Sequence, residues 1–176
     1  MRASTTRAPS DTQNRLNQAR LALRLAEERT GLRDCAALTV QRALPAAPSA
    51  WQGSGVLTLQ GSTTVLLAAL ALRQGATGWC GVIGGDELGW CAATEVGLDL
   101  NRVLTVPTSL LDDASTPTVT AALLDGVDVL LIGAPVAERL RPQHRRRLLA
   151  RARERGRLIL TPARWEGARI LQAGPL

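Results

Sequence analysis

The chain contains no lysine: all 21 of its Lys/Arg positions are arginine. That excludes Schiff-base chemistry, a lysine general base and the phosphate-gripping lysine of a P-loop. Phenylalanine and tyrosine are absent as well, so any stacking of bases would fall to four tryptophans. Histidine is scarce, with His144 alone, and the three cysteines, Cys35, Cys80 and Cys91, show no CxxC spacing. A zinc site needs about four ligands at close spacing, so none is expected. Three thiols cannot all pair, and buried free thiols suit a reducing cytoplasm. The polar stretch from Met1 to Thr12 lacks the apolar core of a signal peptide. The longest apolar run, residues 65–72, is too short to span a bilayer, so no membrane partner is expected.

What is present fits a folded domain. The 176 residues are 45% hydrophobic, with alanine, leucine and valine in place of aromatics. One domain is expected at this length, large enough to bury a full core. Net charge is +6, but it is unevenly placed. Residues 139–157 hold nine arginines and one glutamate, a local charge of +8, while the remainder carries −2.

Residues 1–12 read as a disordered tail and residues 13–44 as an N-terminal helical extension. Within the extension, Leu16, Ala19, Leu23 and Ala26 recur on one face of a helix over residues 14–29, ended near Gly31. A second short helix is expected over 33–44, and a Pro/Ala/Ser/Gly-rich loop over 45–55. From Gly55 onward, strand and helix alternate five times. Strands are expected at 56–59, 78–83, 102–106, 127–132 and 158–160. Helices are expected at 63–73, 86–96, 117–124 and 142–155, with a polar loop at 109–115. Continuous apolar strands separated by helices predict an α/β core over residues 45–176, with a mainly parallel sheet flanked by helices.

In such sheets, ligands bind at the carboxyl ends of the strands. The first strand exits into Gly61-Ser62-Thr63-Thr64 and a helix, the outline of a phosphate loop. Here the loop is only a few residues long, and Ser62 stands where the lysine belongs. The functional reading is a weak anion site on the helix N-terminus; the plainer one is a Ser/Thr helix cap. The second strand exits into Gly84-Gly85-Asp86-Glu87, where a carboxylate could orient a water, or Asp86 could simply cap its helix. The fourth strand exits into Gly133, although a Walker-B strand should end in a metal-binding Asp. Asp128 lies at its opposite end.

The basic helix carries Arg141, Arg145, Arg146, Arg147, Arg151, Arg153 and Arg155 around a Leu148, Leu149 and Ala152 stripe. It reads either as a contact for a DNA backbone or an acidic partner, or as a solvated surface helix. His144 reads as a surface residue.

Several segments together resemble a degenerate RecA core. These are Val56-Leu57-Thr58-Leu59-Gln60-Gly61-Ser62-Thr63-Thr64, Gly78-Trp79-Cys80-Gly81-Val82-Ile83, Glu95-Val96-Gly97-Leu98-Asp99-Leu100-Asn101-Arg102-Val103-Leu104 and Leu124-Asp125-Gly126-Val127-Asp128-Val129-Leu130-Leu131. With Arg151-Ala152-Arg153-Glu154-Arg155-Gly156, the set is similar to the actinobacterial ImuA-type proteins, accessory factors of SOS mutagenesis. The resemblance covers about residues 44–165. It implies a RecA-like P-loop-type core whose phosphate grip would fall at Ser62 and Thr63, its hydrolytic carboxylate near Asp86 and its Walker-B Asp near Gly133. With that lysine and that aspartate lost, it implies a pseudo-ATPase with no catalytic residue and no cofactor. The implied partners are an ImuB-type inactive polymerase homologue and, through it, an error-prone DnaE-type polymerase, with RecA-like self-association also in view. RecA-like proteins bind a neighbour through an N-terminal helix, so Leu16 and Leu23 are the expected docking residues. Two other functions stay open: a residual nucleotide-binding ATPase, and a DNA-backbone-binding module using the arginine helix.

Overall fold

Short apolar runs build a six-stranded, wholly parallel sheet. In the computed structural model the described residues are 53–172, together with Gln18, Ala19 and Ala22, which are helical and exposed. The expected docking residues Leu16 and Leu23 and the helix over 33–44 lie outside the described residues. Residues 53–172 belong to one compact unit, Ala37–Leu176.

The strands are β1 (Gly55–Gln60), β2 (Cys80–Ile83), β3 (Val103–Val106), β4 (Val129–Ile132), β5 (Leu158–Thr161) and β6 (Arg169–Gln172). Their order across the sheet is β3-β2-β4-β5-β1-β6. Strand alternation divides the core in two. Leu57, Leu59, Val82, Val129, Leu131 and Leu160 point to one face, where α1 (Thr63–Gln74) and α2 (Trp90–Glu95) cover them. Val56, Ile83, Leu130, Ile132 and Ile159 point to the other, under α3 (Thr116–Gly126), α4 (Ala134–Arg139) and α5 (Pro142–Glu154). A parallel sheet needs cover on both faces, and β2, β4 and β5 are accordingly buried at every position, with Thr161 the one polar residue among them.

The α/β expectation holds, with four local differences. Among the described residues there are six strands, because Arg169–Gln172 adds an edge strand beside β1. Residues 134–139 form a helix, since Pro135 fits the first turn, where an amide hydrogen is not needed. The helix expected to start at Asp86 starts at Trp90, after the N-cap Gly89. At the start of the expected 109–115 loop, Thr108–Leu110 makes a 3-10 turn. Gly97 and Gly156 do follow helix ends in left-handed conformation, at φ 85° and 63°.

Among the described residues, no helix is long and apolar enough to cross a membrane.

Candidate functional site at the strand exits and the arginine helix

β1 leaves by α1 on one face of the sheet, and β4 leaves by α4 and α5 on the other. Divergent exits of this kind open the crevice where α/β proteins hold ligands. Here β5 lies between β4 and β1, and backbone closes together at the exits of β4 and its other neighbour, β2.

Only Gly61 and Ser62 connect β1 to α1. Ser62 is extended, at φ −71° and ψ 160°, and its hydroxyl accepts from the Val65 amide at 3.4 Å. It is therefore the helix N-cap. Gly61, Ser62 and Thr63 are exposed. A two-residue connection is too short to wrap a polyphosphate with successive amides.

At the β4 exit, the Gly133 amide donates to the Ile83 carbonyl at 2.9 Å. A Cβ on Gly133 would meet the Gly84 carbonyl oxygen at 1.9 Å. No side chain can stand there, carboxylate or otherwise. Gly84 is itself left-handed, at φ 68°, and a Cβ on it would meet Val136 at 2.4 Å.

Asp86 is engaged laterally rather than as a cap. Its carboxylate accepts from both the Thr108 hydroxyl and the Thr108 amide, the latter at 3.0 Å. Those two bonds, the hydroxyl's first, hold the exposed carboxyl below its ordinary range. An acceptor so occupied and so acidic is ill suited to pulling a proton from water.

The seven arginines expected on the basic helix divide by partner. Arg145 donates to the carbonyls of Leu140 at 3.0 Å, Arg164 at 3.2 Å and Ala137 at 2.6 Å, and lies 5.7 Å from the Trp165 ring centroid. It is a clamp that ties off the end of α4. Arg146 pairs with Glu166, and Arg153 reaches the Gly167 carbonyl at 3.5 Å. Arg151 grips Asp125 with two donors, and Arg155 sits 3.7 Å from the same carboxylate. Hydrogen bonding from Arg151 lowers the Asp125 carboxyl and raises the guanidinium in turn. Arg141 and Arg147 are exposed, and among the described residues their side chains make no ion pair or hydrogen bond. His144 is half-buried, not a plain surface residue, and its Nδ1 is buried without a partner.

Asp128 acts at the amino end of the sheet, accepting from the Trp79 amide at 2.8 Å and pairing with Arg157. Cys80 is buried, and burial pushes its thiol up to about 12, so it is no nucleophile at neutral pH. Among the described residues, no group of three or more His, Cys, Asp or Glu could hold a metal ion.

A family model described as the MT3502 N-terminal domain matches residues 42–167. The chain belongs to that family. It is also similar to the uncharacterized protein Rv3395c of Mycobacterium tuberculosis, with 32% identity over 125 residues. The aligned region is 70% of this chain and 59% of that relative, so the chain spans less than two thirds of the relative's length.

The MT3502 N-terminal domain match takes in the Ser62 cap, the Gly84–Gly133 contact, the arginine helix and Trp165. Two positioning residues inside it escape sequence reasoning. Gln74 is buried and bridges the Asp99 backbone, donating to its carbonyl at 2.9 Å and accepting from its amide at 2.8 Å. Trp165 is buried beside a hollow of about 660 Å³ at the ends of β1 and β6. Neither has a local sequence signal, because each is defined by partners distant in the chain.

Proposed function

We propose that this chain is a non-catalytic, RecA-like adaptor of the ImuA type. It acts in SOS-induced translesion synthesis by contact with an ImuB-type inactive polymerase homologue and, through it, an error-prone DnaE-type polymerase. The observation that carries the non-catalytic part is the steric closure at Gly133. The position that should hold the metal-binding carboxylate is filled by the Gly84 carbonyl. The two-residue connection at Ser62 supports the same reading, since its hydroxyl is committed to the helix cap. A mycobacterial relative is in keeping with the actinobacterial resemblance.

Leu16 and Leu23 are the proposed docking residues. The test is co-purification of the full chain with an ImuB-type protein, alongside Leu16→Arg and Leu23→Arg variants. A stable complex lost in those variants supports the whole proposal. A complex that survives them removes the docking helix, and no complex at all removes the adaptor. Thermal stabilisation by ATP that requires Mg²⁺ would favour the residual-ATPase reading instead.

A further inference from the structure

A groove of about 1180 Å³ runs between α3 and α5, away from the degenerate phosphate loop. One wall is α5, presenting Arg147, Arg151 and Arg155 at intervals of four residues, with Arg141 at its start. Residues four apart in a helix lie on one face about 6 Å apart along the axis. The other wall is α3, presenting Thr118, Ala121 and Ala122. The groove's acids are Asp113, Asp125 and Glu154. Asp113 is paired with Arg139 and Asp125 with Arg151, while Glu154 lies in the field of Arg151. Among the described residues, Arg141 and Arg147 are left as exposed cations without an acidic partner, and His144 sits between them with its sheltered Nδ1.

We infer that this groove binds the phosphodiester backbone of nucleic acid, held chiefly by Arg141 and Arg147. Its lining explains the class of occupant. A docked peptide helix is anchored by large side chains in apolar pockets. The only large apolar residue here is Leu148, which is already buried, and the facing wall is alanine and threonine. No tryptophan lines the groove, and its one ring, that of the half-buried His144, offers little platform on which bases could stack. Recognition by charge alone, against a smooth wall of small residues, fits a repeating phosphate chain. Guanidinium forks bind phosphate with paired hydrogen bonds. The contact is accordingly independent of base sequence.

The test measures binding of the full chain to a fluorescent single-stranded oligonucleotide and to the matching duplex over a range of salt. Arg141→Gln and Arg147→Gln should each weaken binding equally for unrelated sequences. Each should reduce the slope of log affinity against log salt by about 0.7 on a single strand or 0.9 on duplex. Ala122→Glu, on the opposite wall, should also weaken binding, whereas Arg146→Gln, outside the groove and paired with Glu166, should not. Both arginines are exposed and unpaired, so unchanged melting temperatures are expected and are measured in parallel. Slopes unaltered by Arg141→Gln and Arg147→Gln would overturn the inference. So would equal losses in Arg146→Gln, which would mean diffuse attraction to the helix. Displacement of the oligonucleotide by polyglutamate at equal charge would overturn it in favour of an acidic protein partner. Nucleic-acid binding is read without an ImuB-type protein present, so its failure is distinct from failure of the adaptor contact.

Discussion

The α-carbon of Gly133 packs directly on the carbonyl of Gly84, leaving 1.9 Å between that oxygen and any Cβ at residue 133. Glycine here is a steric requirement. Introducing a carboxylate with Gly133→Asp should therefore yield no Mg²⁺ affinity. It should destabilise the fold by about 3 kcal/mol, since the obstacle is the backbone just past β2 and cannot rotate aside. Denaturant unfolding and a Mg²⁺ titration check both halves. A stable variant that binds metal would show that the two exits can separate.

The same test can be made at the β1 exit. Ser62→Ala removes the α1 cap and should cost about 1 kcal/mol. Ser62→Lys supplies the side chain that a phosphate loop would need, yet it should bring the same loss and no gain of ATP binding. The reason is geometric: Gly61 and Ser62 are the whole connection, and too few amides converge there to hold a polyphosphate. Melting curves with and without ATP and Mg²⁺ separate the two effects. ATP-dependent stabilisation of Ser62→Lys would mean that only the charge was missing.

Sequence reasoning found five of the strands: β1, β2, β4 and β5, which are buried along nearly their whole length, and β3, a partly exposed run of valine, leucine and threonine. β6 escaped because Arg169–Gln172 is a half-polar edge strand, stabilised by pairing with β1 rather than by its own pattern. α4 escaped because Pro135 looks like a breaker when read alone. At the candidate site, the short loop and the missing carboxylate were legible, being statements about residue identity. The partners of the arginines were not. Arg145, Arg146 and Arg147 are adjacent and identical in type, yet one clamps three carbonyls, one pairs with Glu166 and one is unpaired. Asp86 misled for the same reason: Thr108, 22 residues on, competes successfully for the carboxylate that a helix cap would use.

Gln74 closes the end of α1 onto the loop before β3. It is buried, and both ends of its amide are matched to the backbone of Asp99. Gln74→Ala would remove both partners of that half-buried amide and carbonyl, a loss of about 2 kcal/mol. Gln74→Glu should do no better, because its carboxylate would face the Asp99 carbonyl in place of a donor. Hydrogen exchange at the Asp99 amide is the local check, and it should speed up in both variants. Unchanged protection would mean that the loop is held by other contacts.

Asp86 gives the fold an acid-sensitive contact. Its folded carboxyl is held below the ordinary value by Thr108, first through the hydroxyl and then through the amide. A carboxyl with a lowered folded pKa binds fewer protons folded than unfolded, so stability rises with pH over its titration. The contribution is complete above the ordinary carboxylate range and is lost as pH falls through the folded value. Asp99, Asp112 and Asp125 shift in the same direction, so acid unfolding reflects them together. Asp86→Asn, which mimics the protonated form, should lower the melting temperature near neutral pH. Its gap from the unaltered protein should shrink on acidification; a gap that stays constant with pH would assign the effect to something other than charge.

Arg145 tests whether charge or shape matters on the basic helix. Its guanidinium satisfies carbonyls of Ala137, Leu140 and Arg164 and packs near Trp165, joining α4, α5 and the loop after β5. Lysine keeps the charge but has a single flexible ammonium, which cannot reach three diverging carbonyls in one planar fork. Arg145→Lys should therefore cost about 2 kcal/mol, since the lost bonds are charge-assisted but only partly sheltered. Tryptophan fluorescence should shift as the Trp165 pocket loosens. Nucleic-acid affinity, corrected for the folded fraction, should stay close to that of the unaltered protein, in contrast to Arg147→Gln. If Arg145→Lys were fully stable, the clamp would be a crossing point of convenience, and the junction would rest on the buried contacts of Val136, Leu148 and Trp165 alone.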